Sequence, residues 1–446
     1  MRAAVIGSGQ AGLVLAHGLL AEGHAVDLYS DRTAQGWLED GRPTGTAVRF
    51  GTSLAWERAL GLDDAHAEAP RMEGLRATIC SHPGKELLRL CGRFPESPLA
   101  IDLRLQSARW MDKLAARGGR IEVGVVDDDG VDQIAAAHDV TFVATGKEGG
   151  RWFTRDAARS PAEAPLRHLA MANCEGPPMA FADVPYLAAK FNILEGAGEC
   201  YWTPYWHQSG KALWNLVFEA KPGGPLDVFG GCTSGDEVLA ACARVVDQWL
   251  PWDAAWLRGA RLADPRSWLV GAVTPTVRDP VGRTRSGHRI LPVGDAYCAF
   301  DPLGAQGANT GNRLARELVH ALRGLDGAPV DDAWVRRTYD TFWDRWAGPS
   351  MRWTHLLLAP MGPAARYFFV SQRGSDGTTL GGDPRQRLAD AFVGAFDDPS
   401  KLVDTLSGLG STRGFVQREL GRGADVSAFT GLVSVLGRQV ANALSV

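Results

Sequence analysis

The stretch from Ala3 to Tyr29 constrains this chain more than any other. Four apolar residues, Ala3–Ile6, run into Gly7-Ser8-Gly9-Gln10-Ala11-Gly12, helical patterning follows over Leu13–Ala21 to Gly23, and Ala25–Tyr29 reads as a second strand. A strand, a glycine turn, a helix and a strand in that order make a βαβ unit, which belongs in a parallel layer. Gly7 permits the sharp turn, Gly9 lets a pyrophosphate approach the backbone, and Gly12 lets the helix pack close to the strand. The helix N-terminus then faces the phosphates. GxGxxG alone is a weak signal. Its setting here makes a dinucleotide site the expectation, with Gly7, Gly9, Gln10, Ala11 and Gly12 in contact with the cofactor. Read instead as a signal peptide, the same residues would have an apolar region interrupted by four glycines, a Gln and a His.

The acid that holds the adenosine ribose is expected about 20 residues on, at the end of the second strand. That end reads Tyr29-Ser30-Asp31-Arg32. Ser30 stands near the expected place, so Asp31 or Arg32 is expected to meet the adenosine half; the competing view is a surface ion pair.

A second glycine-rich motif separates FAD from NAD. Leu291-Pro292-Val293-Gly294-Asp295-Ala296 is a strand ending in Gly-Asp, and Phe300-Asp301-Pro302-Leu303-Gly304-Ala305-Gln306-Gly307-Ala308-Asn309 opens a helix. A carboxylate at a strand end suits a ribityl hydroxyl, placing Gly294 and Asp295 there. The following loop would aim N–H groups and a helix dipole at the electron-rich edge of a reduced flavin, through Pro302, Gly304, Gln306, Gly307, Ala308 and Asn309. Gly146, which closes the buried strand Val140–Ala144, is also assigned to the cofactor.

Helices are expected over Leu105–Arg117, Glu237–Leu250 and Thr310–Leu322, with strands at Ile121–Val126 and Arg289–Val293. From about Glu199 to Val228 the pattern alternates, as in an antiparallel sheet with one exposed face. The expected fold is mixed α/β. A Rossmann-like FAD-binding domain of the glutathione reductase and aromatic hydroxylase type (1–165 and 271–330) is interleaved with an antiparallel-sheet substrate domain (166–270). A helical C-terminal region (331–446) follows.

Composition removes other classes. With 47 Lys+Arg against 51 Asp+Glu and a net charge of −4, the chain is no strongly basic nucleic-acid binder. Its seven cysteines are scattered without a CxxC, and its ten histidines show no ligand spacing, so no metal site is expected and a reducing cytoplasm is the natural location. No long uncharged apolar run suggests a membrane span. Two surpluses stand out: 53 glycines, about 12% of the chain against a usual ~7%, and 15 tryptophans.

The paired motifs resemble those of FAD-dependent aromatic hydroxylases. More specifically, the chain resembles the oxygenase component of two-component styrene and indole monooxygenases. The similarity runs through VDLYSDR (26–32), IDLRLQSARWMDKLAARGGRI (101–121), DVTFVATGK (139–147), ALWNLVFEAKPGGPLDVF (212–229), GAVTPTVRDP (271–280), GDAYCAFDPLGAQGAN (294–309) and RWTHLLLAP (352–360). The resemblance implies that Arg104, in its DxRL segment, contacts an FAD phosphate. The mid-chain DGxxSxxR of single-component hydroxylases is missing: Asp129-Gly130 is followed by Val-Asp-Gln. The expectation is therefore FADH2 supplied by a separate NAD(P)H-dependent flavin reductase, O2 as co-substrate, and a homodimer as in the resembled enzymes.

The chemistry so implied belongs to a flavin C4a-hydroperoxide, which epoxidises or hydroxylates an electron-rich aromatic alkene or indole, so no catalytic side chain is nominated. The protein has to exclude water and hold the substrate close. Trp202, Pro204 and Trp206, on one face by alternation, and Trp214 are assigned to the substrate wall, with ordinary core packing as the alternative. Gly45 and Ala47 align with two pocket-lining positions of the family and match neither the styrene nor the indole pattern. Their small size implies a substrate bulkier than styrene.

Three rivals differ in what they would do. A self-sufficient NAD(P)H-dependent hydroxylase would need no added reductase. A flavin-dependent halogenase would carry WxWxIP, which neither WLPWDAAW nor YWTPYW contains. A non-catalytic FAD or isoprenoid carrier would form no oxygen-dependent product.

Overall fold

The computed structural model describes residues 1–325 and 328–421, together with positions 424, 428, 431 and 433. The chain divides into two compact units, each assembled from separated segments: 1–68, 101–165 and 273–354 in one, and 69–100, 166–272 and the residues from 355 onward in the other. Both units mix helix and strand.

The first unit is built on a six-stranded sheet in the order 282–283, 289–292, 140–143, 2–6, 25–30, 120–123. Arg2–Ile6 lies at its centre, parallel to Ala25–Ser30 on one side and to Val140–Val143 on the other. Both faces are buried, as a parallel sheet requires. Ala3 and Val5 point into a cluster with Leu13, Trp110 and Leu314, whereas Ala4 and Ile6 point into one with Val131 and Ile134. The helices Gln10–Ala21 and Gly307–Arg323 cross tightly, because a Cβ on Gly18 would lie 2.7 Å from Val319. The helix Leu103–Ala116 starts at Asp102, whose carboxylate accepts the Arg104 N–H.

The second unit carries an eight-stranded sheet. Its main path runs 261–262, 168–175, 212–220, 198–206, 188–194, 74–82, 85–93, with 268–272 also pairing to 168–175. One face lies under the helices Gly235–Trp249 and Pro251–Leu257, the first opened by a Ser234–Glu237 capping box. Its core joins Trp202, Trp214 and Phe218 to Val238, Val245, Val246, Trp249 and Leu257. The helix Pro384–Gly394 packs against the strand Lys85–Arg93, where a Cβ on Gly92 would stand 2.6 Å from the Ala389 carbonyl.

Two expected boundaries are corrected. Residues 69–100 join the second unit, because Gly74–His82 pairs in parallel with Ala188–Leu194 and antiparallel with Lys85–Arg93. That parallel pairing also makes the sheet mixed. The helical region from 331 is divided: Asp332–Phe342 and Gly348–Leu358 begin within the first unit, and later helices lie in the second. Most of 422–446 in that expected region lies outside the described residues. Among the described residues no helix is long and apolar enough to cross a membrane.

Candidate cofactor site

The two glycine motifs, distant in sequence, meet beside the central strand. Gly7 has φ +117°, and a Cβ there would lie 2.4 Å from the Ala144 carbonyl oxygen. A Cβ on Gly12 would stand 2.1 Å from the Gly7 oxygen, so the helix can sit this close to its strand only with glycine. Gly9 behaves oppositely: a Cβ there meets nothing within 4 Å, which leaves space above the loop. Ala11 bridges to the second motif, since Cβ atoms on Gly294 and Gly311 would lie 3.0 and 3.1 Å from its own Cβ. The Gln10 amide reaches the Ala308 carbonyl at 3.3 Å and Asn312 Oδ1 at 2.9 Å.

Both helices that open at these loops begin without a side-chain cap or an acidic residue in the first turn. By contrast, Asp102, Asp127, Ser234, Asp331 and Asp383 cap theirs. Uncapped N-terminal amides suit an anion or an electron-rich ligand edge. Asp295 is half-buried, and burial raises its carboxyl above the usual range while Lys147 and Arg278 pull it back down. One of its oxygens would lie 3.8 Å from a Cβ on Gly307. Gly146 has φ +66° and open space where a Cβ would be. These features, an open glycine loop, two uncapped helix ends and a partly buried carboxylate, fit a dinucleotide with a polyhydroxyl chain.

Other expected residues have defined partners. Asp31 and Arg32 pair with each other at 2.5 Å, and the Arg32 guanidinium lies 4.7 Å from the centre of the Trp37 ring. The Trp37 indole N–H donates to Ser8 Oγ at 2.9 Å, and Ser8 shares a 2.6 Å hydrogen bond with Ser30. The Ser30 hydroxyl also donates to the Arg32 carbonyl, so Ser30 serves the loop. Arg104 is 1% exposed and pairs with Asp102 at 2.7 Å. Its Nε and Nη2 are held by that carboxylate beside its own helix start. Gln306 is likewise turned inward, donating to the Gly304 carbonyl at 2.7 Å and accepting from Ser350 at 2.9 Å. Pro302 begins the short turn that carries Gly304. A Cβ on Gly304 would fall 2.3 Å from the Thr354 hydroxyl.

The tryptophan wall is also corrected. Pro204 pairs directly with Trp214, and Trp202 and Trp206 share their face. Trp202 and Trp214 are fully buried in the core beneath the helices, Trp202 lying 6.2 Å from Trp256 and Trp214 donating to the Pro178 carbonyl at 3.1 Å. Alternation put these side chains together, but the helices of the same unit occupy that side. The opposite face carries Met171, Thr203, Tyr205, Leu213, Asn215 and Val217, all buried. Asn173, Asn215 and Thr203 form a polar row across it, with Asn215 donating to Asn173 at 2.6 Å.

Arg278 is a further residue of the site that no motif marked. Its guanidinium donates to the Asp295 and Ala296 carbonyls at 2.9 and 3.4 Å, and it occupies space that a side chain on Gly150 would take, 2.3 Å from a Cβ there. Its only sequence signal was its place in GAVTPTVRDP. The cysteines offer no reactive thiolate at Cys80 or Cys174, where burial pushes the thiols up to about 12. Among the described residues no group of three or more His, Cys, Asp or Glu is gathered for a metal.

This fold is shared with flavin-dependent halogenases and aromatic hydroxylases. The flavin-dependent brominase Bmp2 superposes with a TM-score of 0.62 at 14% identity, covering 94% of this chain and 99% of that one. For 2-methyl-3-hydroxypyridine-5-carboxylic acid oxygenase the TM-score is 0.57 at 18% identity, covering 82% and 94%. In sequence the chain is similar to styrene monooxygenases. Residues 146–255 match the family model "Styrene monooxygenase A putative substrate binding domain". The styrene monooxygenase StyA of Pseudomonas fluorescens is 26% identical over 423 residues, 91% of this chain and 95% of that protein. A Pseudomonas sp. StyA is equally similar.

Proposed function

We propose that this protein is a flavin monooxygenase, the FAD-binding oxygenase of a two-component system whose flavin is reduced by a separate NAD(P)H-dependent reductase. The observation that carries this is the meeting of Gly7–Gly12 with Gly294–Asn309 around Ala11. Similarity to styrene monooxygenase along nearly the whole chain supports the reaction class.

A bound reduced flavin supplies the activation of O2. The chain's own residues bind, orient and shield. The uncapped amides after Gly9 would hold the pyrophosphate, Asp295 would accept from a ribityl hydroxyl, and the uncapped start of Gly307–Arg323 would hold the flavin ring. Arg278 holds the carbonyls of Asp295 itself and of Ala296, within that carboxylate's turn. For substrate, the proposed wall is the sheet face bearing Met171, Thr203, Tyr205 and Val217, because the helices Gly235–Trp249 and Pro251–Leu257 pack on the tryptophan face. The small residues Gly45 and Ala47, at positions that line the pocket in the resembled enzymes, favour an electron-rich alkene or indole derivative larger than styrene. Epoxidation or hydroxylation of that double bond is the proposed reaction, in a cytoplasmic enzyme, a homodimer by its resemblance, without nucleic acid or membrane partners.

The test combines FAD, an unrelated flavin reductase, NADH and O2 with a panel of indoles, styrenes and thioethers. Oxygenated product that depends on the reductase is expected. NADPH oxidation without added reductase overturns the two-component reading, and no oxygenated product from any substrate overturns the monooxygenase reading.

A further inference from the structure

Among the described residues two non-glycine positions adopt a left-handed backbone, Ala47 at φ 48° and Ala305 at φ 52°. Alanine avoids this region, so the surroundings must hold it there. Ala305 follows the short turn Pro302–Gly304, and Ala47 precedes the strand Val48–Arg49. One buried side chain ties the two turns together. Asn309 Nδ2 donates to the Ala305 carbonyl and to the Val48 carbonyl, each at 2.8 Å. Its Oδ1 accepts the Phe50 N–H at 3.0 Å and the Ser53 hydroxyl at 2.8 Å. Both donors and both acceptor positions of the amide are thereby used.

A second tie runs alongside. Arg49 donates to the Ala47 carbonyl at 2.9 Å and pairs with buried Glu57 at 2.8 Å. Glu57 in turn accepts from Asn312 at 2.7 Å. Asn309 and Asn312 both stand near the start of Gly307–Arg323, and Gln10 of the first glycine motif holds Asn312. The cofactor loop and the 45–50 segment thus share one anchor.

We infer that Asn309 is a positioning residue that couples the flavin loop to the substrate-lining turn, so that ordering 302–309 around the cofactor also orders 45–53. This rests on the flavin reading above. Asp at 309 keeps the acceptors for Phe50 and Ser53, but sets oxygens against the Val48 and Ala305 carbonyls.

The test is amide hydrogen exchange of the full chain with and without FAD, on wild type, Asn309→Asp and Ser53→Ala. In wild type, FAD slows exchange at both 302–309 and 47–53 by about tenfold or more. In Asn309→Asp the slowing remains at 302–309 and is lost at 47–53. Ser53→Ala, which deletes one of the four bonds, gives a partial loss and serves if the first variant does not fold. Protection at 302–309 with none at 47–53 in wild type overturns the coupling alone, as does full protection of 47–53 in both variants. No FAD-dependent protection at 302–309 in wild type overturns the flavin reading and this inference with it.

Discussion

Gly7 stands so close to Ala144 that a Cβ on it would lie 2.4 Å from the Ala144 carbonyl oxygen, at a backbone φ of +117°. Two glycines later, Gly9 has nothing within 4 Å of the same hypothetical atom. The contrast separates folding from binding within one motif. Gly7→Ala meets both a clash and a strained backbone and should cost at least about 1–3 kcal/mol, seen as a lowered melting temperature. Gly9→Ala should melt within a few degrees of wild type and lose FAD affinity, measured by flavin fluorescence. Unchanged FAD affinity in Gly9→Ala would remove the pyrophosphate from this loop.

Asp295 is expected to bind FAD through its ionised form. Burial raises its carboxyl above the ordinary range, with Lys147 and Arg278 opposing. As pH falls through that raised value the carboxylate is protonated, so FAD affinity should fall on acidification. Asp295→Asn should bind FAD more weakly at neutral pH and lose that pH dependence. A fluorescence titration across pH on both proteins checks it.

Trp214 and Thr203 should separate on stability and kinetics. Trp214→Ala opens a cavity in a fully buried core and should cost about 3–5 kcal/mol in urea unfolding. Thr203→Val, on the opposite face, should change stability far less and alter KM for the organic substrate. Wild-type kinetics in Thr203→Val would move the substrate wall elsewhere.

His17 should make the protein acid-sensitive. Its Nε2 donates to the Trp110 carbonyl at 2.9 Å and its Nδ1 accepts from Arg117 at 3.2 Å, an arrangement for the neutral ring. Burial, opposed by the Trp110 bond, lowers its pKa from 6.5 to about 4. The unfolded chain takes up this proton first. Stability is therefore unaffected above about pH 6.5 and falls between there and pH 4, by roughly 3 kcal/mol in all. Urea melts at pH 7 and 4.5 should show the loss in wild type and a smaller one in His17→Gln.

Much of the candidate site's backbone geometry was legible because backbone demands are written as residue types. Gly7 and Gly12 are required by contacts within one turn, and a βαβ unit brackets them. Gly294 and Asp295 were legible for the same local reason. Arg278 was not, because its role depends on the carbonyls of Asp295 and Ala296 and on the space left at Gly150. Nor was the Arg104–Asp102 pair, since a helix-start arginine reads equally well as exposed.

The tryptophans mark the boundary most clearly. Alternation alone put Trp202, Pro204 and Trp206 on one face. Which face the helices Gly235–Trp249 and Pro251–Leu257 would cover depended on a packing choice that no short window contains. The hairpin Gly74–Arg93 entered the second sheet through pairing with Ala188–Leu194, far along the chain. Turns, helix starts and glycine loops could be read from residue order, because their energetics are set within a few residues. Which loops meet at Ala11, which sheet face is core, and that Asn309 holds two strained turns at once depend on contacts between distant segments, which no local pattern encodes.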